Sequence, residues 1–224
     1  MIVIATYNDI SYLTNLLNSL NTTKNLNENV LVVCTDYSQQ EMIEYINTLP
    51  NNNDYIFNIL VDVTPYKGYD SGAYIYAFKK YVDEYYIFLQ DSLTIKSPDW
   101  FDYFKEKRED DTINPILHFS MCWDNKEQRE WVEGKFNGRI NAPNVGVFGP
   151  IFQVSRNSLI KMDKLHNLSN FIPGHKVIGQ QGMERGWAYL ATNSNIKINN
   201  IDGIYYGQDT FNSRCFNKIY LNRD

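Results

Sequence analysis

Asp91 is the residue from which chemistry is most directly argued. It follows Tyr85 to Leu89, a short and nearly continuous apolar and aromatic run, as expected of a central strand covered on both faces. In open α/β sheets ligands sit beyond the carboxyl ends of the strands, so a carboxylate ending such a strand stands where a ligand-bound divalent cation would be held. Upstream lies the turn Lys67-Gly68-Tyr69-Asp70-Ser71-Gly72. Its two glycines permit backbone conformations and a close ligand approach that a Cβ would block. Between turn and strand, Tyr74, Ala77, Phe78 and Tyr81 recur at i, i+3, i+4 and i+7, one apolar face of an amphipathic helix.

The preceding segments must hold this unit in place. Ile2 to Ala5 reads as a strand, followed by a helix with Leu13, Leu16, Leu17 and Leu20 inward and Asn8 or Asp9 as its cap. Val30 to Cys34 reads as a second strand, with Ser38 and Glu41 forming a capping box for a helix that buries Met42, Ile46 and Leu49. Pro50 and the run Asn51 to Asp54 stop that helix, and Tyr55 to Val63 supplies a third strand. Such alternation implies a parallel sheet with right-handed crossovers.

The second half is less regular. Ser97-Pro98 reads as the start of a helix containing Trp100, Phe101 and Phe104. Ile116 to Trp123 reads as a strand, Asn125 to Glu133 as a helix, and Asn137-Gly138 as a turn. Val145 to Val154 forms a strand bent at Gly149-Pro150, and Ser155 to Leu165 a helix. A last helix over Val177 to Ala191 buries Met183, Trp187 and Leu190, ahead of strand-like Ile196 to Ile204 and a Tyr-rich tail.

Nothing in the 224 residues looks like a linker, so residues 1–224 are expected to form a single domain. At 43% hydrophobic and 15% aromatic the chain can bury a sizeable core. A formal charge of −5 argues against a general binder of nucleic acid or of membrane surfaces, which needs a basic footprint. Cys34, Cys122 and Cys215 are odd in number and lack CxxC spacing, so reduced thiols in a cytoplasmic protein are expected. No apolar run approaches the ~20 residues of a transmembrane span.

The loop after the first strand excludes two nucleotide folds. Ala5-Thr6-Tyr7-Asn8-Asp9 has no glycine, so neither GxGxxG nor GxxxxGK[ST] is present there, nor the Gly-rich basic loop of sugar nucleotidyltransferases. What remains is ATYND after strand one, CTDYS after strand two, a Gly-containing turn before a helix, and FLQDS after the next strand. This order resembles the nucleotide-sugar half of glycosyltransferases with the GT-A fold, the family 2-like group in particular, and is similar to the small stand-alone glycosyltransferase domains of large DNA viruses.

The resemblance implies an α/β, GT-A-type three-layer fold, its mostly parallel central sheet flanked by helices. It makes residues 1–92 the nucleotide-sugar half and 93–224 the acceptor side. It assigns Thr6, Tyr7, Asn8 and Asp36 to the nucleoside, and Lys67, Gly68 and Asp70, with Gln90 beside them, to ribose, diphosphate or sugar. Asp91 would hold Mn²⁺ or Mg²⁺. The implied reaction is metal-assisted, inverting transfer from a UDP- or GDP-linked sugar to a hydroxyl of a glycan or glycoprotein, a hexosyltransferase-like activity with no nucleic-acid partner.

Gln90-Asp91-Ser92 departs from the family by carrying one carboxylate where two are usual, so diphosphate and water would complete the metal shell, with His175 or Asp209 as further ligands. For the base that takes the acceptor proton the candidate is Glu184, whose place beside Met183 and Trp187 would raise its pKa by desolvation unless Arg185 pairs with it. Gly179-Gln180-Gln181-Gly182 suits an acceptor wall, and Trp123, Trp131 and Trp187 could stack on sugar faces. Plainer roles stand beside these. Asp70 could cap a helix starting at Ser71, Asp36 could serve its turn, and Lys67 and Glu184 could be solvated. The alternative function is a non-catalytic nucleotide- or carbohydrate-binding module of the same fold.

Overall fold

The computed structural model describes residues 1–7, 9–35, 39–119, 125–174, 177–200, 204–206 and 213–219. In chain order the strands are β1 (Ile2–Thr6), β2 (Val30–Thr35), β3 (Ile59–Thr64), β4 (Tyr85–Gln90), β5 (Leu93–Ile95), β6 (Thr112–Phe119), β7 (Gly146–Ser155), β8 (Lys197–Ile198), β9 (Ile204–Tyr206) and β10 (Phe216–Lys218). The helices are α1 (Ile10–Leu20), α2 (Gln40–Thr48), α3 (Tyr69–Lys80), α4 (Trp100–Glu106), α5 (Lys126–Glu133), α6 (Arg156–His166) and α7 (Val177–Asn193).

An eight-stranded sheet carries the order β3-β2-β1-β4-β7-β6-β8, with β9 also on β6. The β3-β2-β1-β4 half is parallel, β7 runs antiparallel to both β4 and β6, and β8 and β9 pair parallel to β6. The strand alternation seen in the sequence thus builds the parallel half, and the irregular second half adds the antiparallel strand. Because β2 lies on one side of β1 and β4 on the other, the strand order reverses between β1 and β4. That is a topological switch point, where a crevice opens at the carboxyl ends.

Both faces of the sheet are covered. Val3 and Ala5 of β1 face a core shared with α3, α6 and α7, whereas Ile2 and Ile4 face a core built on α1, α2 and α4. Phe88 centres the first core, stacked on Tyr74 at 4.5 Å and on Trp187 at 6.4 Å, with Phe152 tilted against it at 4.9 Å. Caps fix several helix starts. Asp9 accepts from the Ser11 and Tyr12 amides, Asn125 from Gln128 and Ser155 from Ser158.

Several boundaries differ from the sequence expectation. Strand β6 starts at Thr112 rather than Ile116, and β8 covers only Lys197–Ile198 of the Ile196–Ile204 segment. Helix α4 starts at Trp100 after Asp99, since Ser97 and Pro98 form a turn whose Pro98 carbonyl takes the Lys24 amide at 2.9 Å. Strand β3 starts at Ile59 rather than Tyr55, because Asn21 ties down the Asp54 carbonyl and the Ile56 amide, at 2.8 Å each. Helix α3 starts at Tyr69 after Gly68, so Asp70 lies inside the first turn and is no cap. Helix α2 starts at Gln40 with Gln39 at the cap position and no side-chain cap bond, so Ser38 and Glu41 do not form the expected capping box. Ser38 itself and the end of the Ile116–Trp123 segment lie outside the described residues.

Beyond β4 the chain turns back as β5, which pairs antiparallel with β10 so that Lys218 lies opposite Leu93. Phe216 is buried against Trp100 at 5.3 Å and Phe104 at 5.9 Å, which anchors this ribbon in the second core. Cys34 and Cys215 are buried thiols.

Candidate functional site

The crevice between the ends of β1 and β4 gathers Thr6, Gln90, Asp91 and Ser92 with Asp70 of α3, Glu184 of α7 and Lys218 of β10. Thr6 is buried, and its hydroxyl donates to Asp91 Oδ2 at 2.9 Å. The backbone at Tyr7 and Ser92 also favours the charged form of Asp91. Gln90 Nε2 donates to Asp70 Oδ2 at 2.5 Å, while Lys218 Nζ donates to Gln90 Oε1 and, at 2.5 Å, to Ser92 Oγ. Glu184 is placed by its neighbour on α7, Trp187, whose indole donates to Ser71 Oγ at 3.1 Å and so pins α7 beside Asp70.

Two glycines make the packing possible. Gly149, at φ +52°, passes so close to Gln90 that a Cβ would stand 2.7 Å from Oε1. The bend read from Gly149-Pro150 therefore leaves room for the Gln90 amide. A Cβ on Gly68 would meet Pro173 Cδ at 2.6 Å, so the Lys67-Gly68 turn packs directly on the loop before α7.

Asp70, Asp91, Glu184 and Lys218 are each half-buried. Burial raises all three carboxyls. Asp70 is pushed up to about 6, with Gln90 opposing and the Asp91 charge adding. Glu184 is pushed up to about 7, with Lys218 opposing and Asp70 adding. Asp91 rises by burial against its bond from Thr6 and the Lys218 charge. The Lys218 ammonium is lowered by burial and supported by Asp70, Asp91 and Glu184. These groups form one coupled electrostatic unit.

Other expected site residues fall in different places. Tyr7 is 37% exposed beside the crevice and meets Tyr69 edge-on at 5.7 Å. Lys67 is exposed. Trp187 is fully buried in the core and does not present a face to a sugar. Trp131 rests on Gly179 and Gly182 of α7, with the Lys135 ammonium 4.8 Å over its ring. Arg185 bonds Gln128 Oε1, and its charge opposes the rise of the Glu184 pKa. Asn8, Asp36, Trp123, His175 and Asp209 lie outside the described residues.

Lys218 was not anticipated from the sequence. Its only local signal is an alternation with buried Phe216, and its partners lie 126 to 128 positions away.

Among the described residues the donor set does not make a divalent-cation site; His175 and Asp209 lie outside them. Asp91 Oδ2 already accepts from Thr6. No group of three or more His, Cys, Asp and Glu side chains converges on a point among the described residues. The Lys218 ammonium already sits as the cation among Asp70, Asp91 and Glu184.

The sequence matches no known protein-family profile and no curated protein. Solved structures do match. Residues 1–349 of S. aureus TarS superpose with a TM-score of 0.52 at 16% identity, covering 96% of this chain and 58% of that one. A structure of S. aureus TarS gives 0.53 at 16% identity over 92% of this chain and 36% of that one. TarS 1–349 in complex with UDP gives 0.51 at 18% identity, over 92% of this chain and 59% of that one. The present chain therefore spans little more than half the length of the 1–349 fragment. With its switch-point crevice, mostly parallel sheet and flanking helices, the chain has a GT-A-type fold.

Proposed function

We propose that the chain is a transferase that moves a sugar from a nucleoside-diphosphate donor to a hydroxyl of a glycan or protein acceptor, with inversion. The observation that carries this reading is the meeting of Glu184, Asp70 and Lys218 beside Asp91 at the switch point between β1 and β4. The UDP complex of TarS, a protein of the same fold, favours uridine over guanosine in the donor. Tyr7, exposed and braced by Tyr69, offers an aromatic surface beside the crevice for the base.

In this reading the acceptor oxygen attacks the anomeric carbon from the face opposite the diphosphate. The bond from that carbon to the diphosphate oxygen breaks, and the nucleoside diphosphate leaves with the electron pair. Glu184 takes the acceptor proton. A carboxyl raised to about 7 is matched to this work, since it is substantially ionised at neutral pH yet basic enough to hold the proton. Thr6 fixes Asp91, and Gln90 links Asp70 to Lys218. No step passes through a divalent ion. The buried thiols Cys34 and Cys215 favour a cytosolic setting. Among the described residues no helix is long and apolar enough to cross a membrane.

The test is release of UDP from UDP-sugars by the purified chain, with and without hydroxyl acceptors, alongside the melting shift caused by UDP. Turnover that disappears in Glu184→Gln while the UDP shift persists supports the transferase. A UDP shift with no turnover under any acceptor reduces the protein to a binding module. No shift and no turnover with any nucleotide sugar overturns the reading.

A further inference from the structure

Lys218 has a position that structural bookkeeping alone does not explain. A lysine with three carboxyls around it is half of an ion cluster, yet its ammonium is bonded to the neutral Gln90 Oε1 and Ser92 Oγ. Two of its three protons are thereby spent, and the third has no hydrogen-bond acceptor among the described residues. The ribbon holds it firmly. Leu93 pairs with Lys218, the Ile219 amide donates to the Ser92 carbonyl at 2.9 Å, and Phe216 is sealed against Trp100 and Phe104. The bonds to Gln90 and Ser92 set the charge on the two residues that flank Asp91, at the mouth of the switch-point crevice.

We infer that the Lys218 ammonium is a built-in cation for the donor's diphosphate, so that donor binding and departure of the nucleoside diphosphate proceed without a divalent metal. The inference rests on the donor reading above and goes beyond it in assigning the charge that meets the phosphates. An ammonium is a competent point-charge partner for phosphate oxygens. It supplies no proton and forms no bond to the sugar. Its part is to neutralise the charge that accumulates on the leaving oxygen when the bond to the anomeric carbon breaks. Asp91 then serves as the fixed carboxylate that, with Asp70 and Glu184, keeps Lys218 protonated in a partly buried setting.

The experiment is calorimetric binding of UDP, UMP and uridine to the full chain, in EDTA and in Mn²⁺, for the wild type, Lys218→Met and Lys218→Arg. The expected result is UDP binding in EDTA within about threefold of that in Mn²⁺, and a ~30-fold loss of UDP affinity in Lys218→Met with uridine unchanged, as for a lost charged hydrogen bond. Lys218→Arg should retain most of the preference for UDP over uridine. A role confined to balancing the carboxylates predicts instead that UDP and uridine weaken together, and that outcome overturns the inference. UDP binding that requires Mn²⁺ in the wild type also overturns it, while leaving the donor reading intact. If neither UDP nor uridine binds the wild type under either condition, the donor reading itself falls. Should Lys218→Met not fold, the wild-type comparison and Lys218→Arg still decide.

Discussion

The Thr6 hydroxyl reaches across the gap between β1 and β4 to donate to Asp91 Oδ2 at 2.9 Å. This bond spans the point at which the strand order reverses, so it joins the two halves of the crevice floor. Thr6→Val keeps the shape and removes the donor. It should cost about 1–2 kcal/mol of stability, as a buried bond to a charged acceptor does. It should also raise the Asp91 pKa and lower UDP-sugar turnover by roughly tenfold. Urea unfolding and steady-state kinetics read the two effects separately, and an unchanged pair of values would mean that the bond is idle.

If Glu184 is the base, as proposed, it sets the pH profile. With its pKa raised from 4.5 to about 7, turnover should climb between pH 6 and 8 with an apparent midpoint near 7. Glu184→Gln should leave a flat residual rate at least ~100-fold lower, as loss of a general base does. A wild-type profile flat across that range would remove Glu184 from the reaction.

The same shift makes a prediction about stability with an opposite sign. Between the ordinary value of 4.5 and the folded value of about 7, the folded state holds more protons at Glu184 than the unfolded state. Stability contributed by this group therefore falls as pH rises through that window. Asp70, raised from 3.8 to about 6, adds a fall in the same direction over its own range. Glu184→Gln should match the wild type at pH 4.5 and melt higher at pH 8, by roughly 3–6 °C for a domain of this size. A lower melting temperature at pH 8 would contradict the burial that moves its pKa.

Gly149→Ala tests the shape of the floor. The new methyl would have to adopt φ +52° and stand 2.7 Å from Gln90 Oε1. The substitution should cost about 1–3 kcal/mol through backbone strain and contact. It should also displace the Gln90 amide that links Asp70 to Lys218. A UDP affinity equal to the wild type's in a folded variant would show that Gln90 does not organise the site.

Phe216→Ala separates the anchor from the charge it carries. Loss of a phenyl ring packed on Trp100 and Phe104 should cost about 3–5 kcal/mol. If the ribbon positions Lys218, UDP affinity in the folded fraction should fall along with stability. Unchanged affinity would mean that the bonds to Gln90 and Ser92 hold Lys218 without help.

The parallel half of the fold was legible because its strands are local and apolar and its first helix carries its own cap. Asp9 with the Leu13, Leu16, Leu17 and Leu20 face shows this directly. The places of Asp91 and Glu184 were legible from position, one at the end of a buried strand and the other beside a buried stripe. Asp70 was harder, because aspartate at a helix start suits a cap, whereas here it accepts from Gln90. Trp187 misled as a sugar platform, since one indole suits a core or a ligand equally well and its burial settles the matter. Lys218 was invisible. A three-residue ribbon has no periodicity to detect, and its pairing with β5 crosses more than 100 positions of chain.

That ribbon also sets an order of events during synthesis. A ribosome releases Asp70, Asp91 and Glu184 long before Lys218, which follows Gln90 by 128 positions. Until β10 arrives, the nascent sheet carries acidic side chains at its open rim without this ammonium. On the proposed reading, the site's charge is balanced only once Phe216 has packed against Trp100 and Phe104 and brought β10 onto β5.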